Sequence, residues 1–133
     1  MADQVTVVSS PVAYQVTATA RTHHWIGDEP TSVGGGDTGP MPPELLLSSL
    51  GACTAITLHM YAARKKLPLE KVEVRLTLSG KPTEGGSDIE RKISLTGALS
   101  PEQRERLLQI ANACPTHKIL TNPIRIATSL EPA

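Results

Sequence analysis

The stretch Leu45–Lys66, LLLSSLGACTAITLHMYAARKK, decides the fold. Pro42 or Pro43 suits the first turn of a helix, where a missing N–H costs nothing, and Glu44 favours the same end. Arg64, Lys65 and Lys66 suit the C-terminal end, and Pro68 stops the helix soon after. Between those ends apolar residues cover nearly the whole circumference, which is the pattern of a helix buried all round. A chain of 133 residues has little material to wrap such a helix. A partner subunit is therefore expected over part of it. Leu45–Ala63 also meets the crude length test for a membrane span, being 19 residues without Asp, Glu, Lys or Arg. Ser48, Ser49, Thr54, Thr57 and His59 lie inside it, however, and Gly51 interrupts it. The core-helix reading is taken, with no membrane.

Working outward, the flanks read as strands that need this helix to pack on. QVTVVSS and VAYQVTATA are rich in Val and Thr, with SSP as the turn between them. Tyr14, Val16, Ala18 and Ala20 alternate with Gln15, Thr17 and Thr19, so one face is expected inside. A third short strand fits His24–Ile26, ended by Gly27-Asp28. The sequence DEP at Asp28–Pro30 reads as a solvated turn, with Glu29 as a lesser candidate for an active-site acid. Asp37 is equally ambiguous. TSVGGGDTGPMPP follows, a loop too long and too glycine-rich for a simple connector.

Beyond the helix, KVEVRLTLSG alternates with Val72, Val74, Leu76 and Leu78 on one face. IERKISLTGAL returns with Ile93 and Leu95 inward, giving an antiparallel hairpin. Ser100, Pro101 and Gln103 form a helix start with a capping box. That helix runs to about Ala113 and is ended by Cys114-Pro115. HKIL is too short to assign, and PIRIATSL alternates as a final strand. The order β-β-(β)-α-β-β-α-β lacks strict βαβ alternation, so the class is α+β. Residues 1–133 are read as a single domain.

Composition excludes several functions. Lys+Arg and Asp+Glu are both 13, so no basic surplus drives binding to a phosphate backbone. Aromatic residues are 2%, too few for a base-stacking platform. No nucleic-acid partner is expected. The start MADQVTVVSS carries no basic region followed by a long apolar core, so no signal peptide is evident and a cytoplasmic location is the expectation. There, two cysteines are more often free thiols or a redox couple than a permanent staple.

Cys53 and Cys114 lie 61 residues apart. Each alone reads as a buried cysteine. Together they can form a redox couple in which one thiolate attacks an oxidant and the other resolves the product as a disulfide. Activation is the harder question. Cys53 lies about three turns into the helix, too far for the helix dipole to lower its pKa. A cation from another element is expected instead. The candidates are Arg21, His23 or His24 from the N-terminal sheet, and His117 or Lys118 beyond Cys114. Arg21 is preferred, because it is always charged and its planar fork can hold a peroxide oxygen. His23, His24, His59, Cys114 and His117 could in principle assemble a metal site. No Cys-x-x-Cys or His-x-x-x-His pair exists, and no metal is expected.

GGGDTGPMPPELLLSSLGACTAITLHMYAARKK, followed by LPLEKVEV and later by ANACPTHKIL, resembles the OsmC/Ohr family of organic-hydroperoxide and related thiol-dependent peroxidases. The resemblance implies an α+β fold of antiparallel sheets on a long central helix. It also implies an intertwined homodimer with active sites at the subunit interface. By that resemblance Cys53 is the peroxidatic cysteine and Cys114 the resolving one. The substrate would be an organic hydroperoxide, and an external dithiol reductant would replace a bound cofactor. Typical members carry a glutamate ten positions before the peroxidatic cysteine, paired with an arginine from the N-terminal sheet. Here that position is Pro43, with Glu44 one step on, and Arg21 is offset by about one residue. The resemblance is therefore to a divergent OsmC-like subgroup. It leaves Arg21 and Glu44 as the candidate activating pair. The competing reading is a redox-sensing or small-ligand-binding protein without efficient turnover.

Overall fold

Segments rich in Val, Thr and Ala near the N-terminus form β1 (Thr6–Ser9) and β2 (Val16–Ala20), and HHWIG forms β3 (His23–Gly27), three short antiparallel strands. They form one sheet in the order β1-β2-β3, with Ser9 opposite Val16 and Ala20 opposite His23. The computed structural model describes residues 3–132. The chain forms two compact units, the first running up to Ser48 and the second from Ser49 onward.

In the first unit, Asp28 is buried at 3% exposure, which corrects the reading of DEP as a solvated turn. Its carboxylate accepts from the Thr38 hydroxyl at 2.6 Å, the Thr38 N–H at 3.1 Å and the Glu29 N–H at 2.7 Å. These bonds, the Thr38 hydroxyl first, hold the Asp28 carboxyl below its ordinary pKa. A charged acceptor buried with this many donors pins the glycine-rich loop back on itself. The loop needs glycine where backbone meets backbone. A side chain at Gly35 would strike the Glu29 carbonyl, and one at Gly39 the Ile26 carbonyl. A single 3₁₀ turn occupies Thr31–Val33.

The long helix α1 spans Pro42–Lys65, with Glu44 in its first turn and Arg64 and Lys65 in its last. Its buried residues Leu50, Thr54, Leu58, Tyr61 and Ala62 recur at spacings of three, four and one, a single helical stripe. The helix is therefore not buried all round within one chain: Ile56 is 54% and Met60 66% exposed.

In the second unit, β4 (Lys71–Lys81) and β5 (Gly86–Thr96) form a long two-stranded hairpin. Val72 faces Leu95, Val74 faces Ile93, Leu76 faces Arg91 and Leu78 faces Ile89. All eight are half-buried, so one face of the hairpin is the inner face. Gly51 lets α1 approach it: a Cβ there would meet Leu76 Cδ1 at 2.9 Å. Helix α2 (Pro101–Ala111) begins at the expected Ser100 cap, and the capping box with Gln103 is complete. Leu58 and Tyr61 of α1 pack with Leu107 and Ala111 of α2, and Leu67, Leu69, Val72, Ile93 and Leu95 close around them.

Two elements differ from the sequence reading. The unassigned segment after Cys114 is a short helix, α3 (Pro115–Leu120), capped by Cys114 itself. The stretch PIRIATSL is not a strand: it has no ladder bonds and no regular structure, leaving Ile126 86% and Leu130 98% exposed. Its alternation marks it for pairing, but a strand exists only where an edge accepts it. Among the described residues no strand pairs with it.

Leu58 and Leu107 are both fully buried at the centre of the second unit. Truncation leaves a cavity as well as lost burial, so Leu58→Ala is expected to lower unfolding stability by about 2–5 kcal/mol. Denaturant titration reads this directly, and the exposed Lys118→Ala serves as the near-neutral control.

Candidate functional site

Cys53 is half-buried on α1 and Cys114 fully buried at the start of α3; both are free thiols. The fold brings them into hydrogen-bond contact, so the two cysteines paired in the sequence reading do meet. Pro115 makes this possible locally. It occupies the first turn of α3 and holds Cys114 extended at ψ 130°, and the Cys114 sulfur accepts the His117 N–H at 3.4 Å as a helix cap.

Burial is the largest single influence on the Cys53 thiol and pushes its pKa up. Hydrogen bonds outweigh it. Hydrogen bonding from Cys114, from the hydroxyl and N–H of Thr116 and from the hydroxyl of Thr57 lowers the pKa, which falls below the ordinary thiol value. Thr57 lies four residues on and so shares its helix face. Cys114 moves the other way. Burial and its hydrogen bond to Cys53 push its pKa up, against the lowering effect of the His117 and Thr116 amides. The pair is thus asymmetric, with the accessible sulfur the more acidic and the buried one the proton donor.

Beside the dithiol stands a second polar cluster. Arg91 Nη1 donates to Thr54 Oγ1 at 3.0 Å, and Nη2 donates to Asn112 Oδ1 at 2.9 Å. Nη2 also lies 3.2 Å from His117 Nδ1. Thr54 in turn donates to the Leu50 carbonyl at 2.7 Å. Arginine is a donor only, so Nδ1 of His117 accepts and the ring proton sits on Nε2. Burial first, then the Arg91 charge, keeps the His117 pKa low. His117 is therefore neutral at pH 7, which removes it from the candidate cations for Cys53.

Arg21, Pro43 and Glu44 lie in the first unit, and His59 and Lys118 are exposed in the second. Arg21 is exposed in the β2–β3 turn at φ 55°, a left-handed position. Glu44 Oε1 accepts the Met41 N–H at 2.9 Å and so closes the start of α1. Pro43, at the position of the family's usual glutamate, lies in that first turn. Among the described residues no three His, Cys, Asp or Glu side chains gather as a metal-holding group.

Sequence reasoning passed over Thr57, Thr116 and Arg91. For Arg91 the signal was present. Ile89, Arg91, Ile93 and Leu95 keep strict alternation, which places an arginine in an inward-facing row. Thr57 was also readable, as the i+4 neighbour of Cys53. Thr116 was not, because α3 itself could not be assigned.

The family model described as OsmC-like protein matches residues 34–129, most of the chain and both cysteines. The chain belongs to the OsmC-like family. The OsmC-like protein of Mycoplasma pneumoniae is similar at TM-score 0.77 and 24% identity, over 90% of this chain and 87% of that one. An organic hydroperoxide resistance protein OsmC of Legionella pneumophila gives TM-score 0.65 at 21% identity, covering 91% and 90%. The organic hydroperoxide resistance protein OhrB of Bacillus subtilis gives 0.64 at 21%, covering 91% of each. At such identities these likenesses establish the fold: mixed α+β, antiparallel sheets and a long helix. No match exists among curated proteins.

If the Thr116 hydroxyl helps hold the Cys53 thiolate, Thr116→Val raises the Cys53 pKa. The pH profile of iodoacetamide alkylation of Cys53 is expected to move to higher pH, and its rate at pH 7 to fall. An unmoved profile would remove Thr116 from the account.

Proposed function

We propose that this OsmC-like protein is a thiol-dependent peroxidase for organic hydroperoxides, acting as one domain in a cytoplasmic homodimer. The observation that carries the reading is the hydrogen-bonded, oppositely shifted pair Cys53 and Cys114. The Cys53 thiolate attacks the distal oxygen of the hydroperoxide. The O–O bond breaks, the departing alkoxide takes a proton and leaves as the alcohol, and Cys53 becomes a sulfenic acid. Cys114 then attacks the Cys53 sulfur. The S–O bond breaks, hydroxide leaves with the Cys114 proton as water, and a disulfide remains. An external dithiol reduces that disulfide by exchange. No bound cofactor enters the cycle.

Support comes also from the named hydroperoxide resistance proteins among the structural neighbours. A homodimer is supported by the uncovered Ile56 and Met60 on α1 and by the unpaired alternating stretch at residues 123–130. Arg21 is proposed to steady the peroxide oxygens, with Glu44 as its partner at the start of α1.

Excess cumene hydroperoxide is expected to abolish both titratable thiols of the reduced protein; a thiol count unchanged after oxidation would falsify the reading. In the same assay Cys53→Ser consumes no peroxide. Cys114→Ser stops after one equivalent with a sulfenic acid that dimedone traps. Arg21→Ala lowers kcat/KM by about tenfold or more, the scale of losing one charge-stabilising donor. Sedimentation should give twice the chain mass of 14.1 kDa, and a monomer at working concentration would remove the dimer.

A further inference from the structure

Arg91 carries a charge that no acid among the described residues balances. It is half-buried on the inner face of the β4–β5 hairpin, in a row otherwise formed by Ile89, Ile93 and Leu95. Its partners Thr54, Asn112 and His117 are all neutral. Among the described residues, the ion pairs join Arg75 to Glu73, Lys81 to Glu84 and Lys92 to Glu90, and none includes Arg91. Buried charge is costly unless an opposite charge meets it. The neighbouring acid Glu90 points to the opposite, solvent face of the strand and holds Lys92.

Arg91 and His117 also line a cavity of about 390 Å³. Leu50, Ile89, Ile93, Leu108, Ala111 and Leu120 form its apolar side, and Ser87, Asn112 and Thr121 join Arg91 and His117 on the polar side, with no carboxylate and neither cysteine among the lining side chains. The size falls in the range of small-molecule sites, and the lining sets an apolar side against a group of polar side chains that includes Arg91 and His117. Three of the guanidinium's five N–H groups are engaged, which leaves the Nε proton and one on Nη1. His117 adds the Nε2 proton fixed by its bond to Arg91. These are donors without acceptors among the described residues, beside a single positive charge, at the wall of that cavity.

We propose that this cavity binds an aliphatic carboxylate, its head on Arg91 and His117 and its chain along the leucine and isoleucine wall. A single cation balances a single negative charge, so a monoanion fits better than a phosphate dianion. The six aliphatic side chains on the apolar side give a hydrocarbon body a surface to bury against. The site is separate from the dithiol and stands whether or not Cys53 turns over peroxide.

The probe is sodium octanoate, titrated calorimetrically into the intact reduced protein, with octan-1-ol as the uncharged chain of equal length. Octanoate is expected to bind at least tenfold more tightly than octanol. Arg91→Gln, which keeps a donor but loses the charge, is expected to cost at least tenfold in octanoate affinity. Because Arg91→Gln also disturbs three hydrogen bonds, Leu108→Trp provides the second arm. Leu108 is 55% exposed on the cavity wall and touches none of the Arg91 bonds, so the indole fills the space without dismantling the cluster. It is expected to abolish octanoate binding while the circular dichroism spectrum and the Cys53 alkylation profile stay unchanged. Equal binding of octanoate and octanol overturns the proposal. So does absence of octanoate binding, or an affinity that Leu108→Trp leaves intact.

Discussion

The guanidinium of Arg91 is the point at which the parts of the second unit are tied. From β5 it reaches α1 through Thr54, the end of α2 through Asn112, and α3 through His117. Each of those three residues is near a sulfur in sequence or by contact. Thr54 follows Cys53, Asn112 lies two before Cys114, and the His117 N–H caps the Cys114 sulfur. Apolar packing of Leu58 and Tyr61 on Leu107 and Ala111 supplies the cohesion of this unit. It is not directional, however, and would tolerate small slides of one helix on another. Hydrogen bonds at 2.9–3.2 Å would not, so the register of the two cysteines rests on the polar cluster.

This arrangement changes how Cys53 activation is understood. A thiolate three turns into a helix lacks the dipole, and the sequence argument therefore demanded a cation. The fold supplies donors instead. Thr57 comes from the same helix, Cys114 and Thr116 from the first turn of α3. Hydrogen bonds to a charged acceptor contribute about 1.5–3 kcal/mol each, enough together to offset the desolvation of a half-buried sulfur. Short α3 matters here for its free amides rather than its length. A capped first turn leaves N–H groups that need acceptors, and sulfur provides them.

Much of this was legible in the sequence. The helix at Pro42–Lys65, the β4–β5 hairpin and the Ser100 capping box follow from local rules that operate within a few residues. The pairing of Cys53 with Cys114 came from resemblance, since 61 residues of separation carry no geometry. What escaped depended on partners distant in the chain. Asp28 looked like a turn residue because Thr38, ten positions on, is what buries it. PIRIATSL has the alternation of a strand, but alternation states a preference for a face, not the presence of a neighbouring edge. The six residues of α3 fell below the length at which periodicity speaks, and with them went Thr116 and the His117 link to Arg91.

The opposite shifts of the two sulfurs also order the proposed chemistry. A peroxide meets Cys53 first because that sulfur is both the accessible and the more acidic one. Cys114 at the same moment is protonated, fully buried and engaged as a donor, so it cannot compete for the oxidant. Once Cys53 becomes a neutral sulfenic acid, the negative charge that held the Cys114 proton is gone. Of the three causes raising its pKa, Cys114 keeps burial and loses the charge of Cys53 and the hydrogen bond to its thiolate, while the His117 and Thr116 amides that lower it remain. Its thiolate becomes easier to form at the step that needs it. In the proposed cycle, a pair tuned through one shared hydrogen bond passes nucleophilic character from the first sulfur to the second.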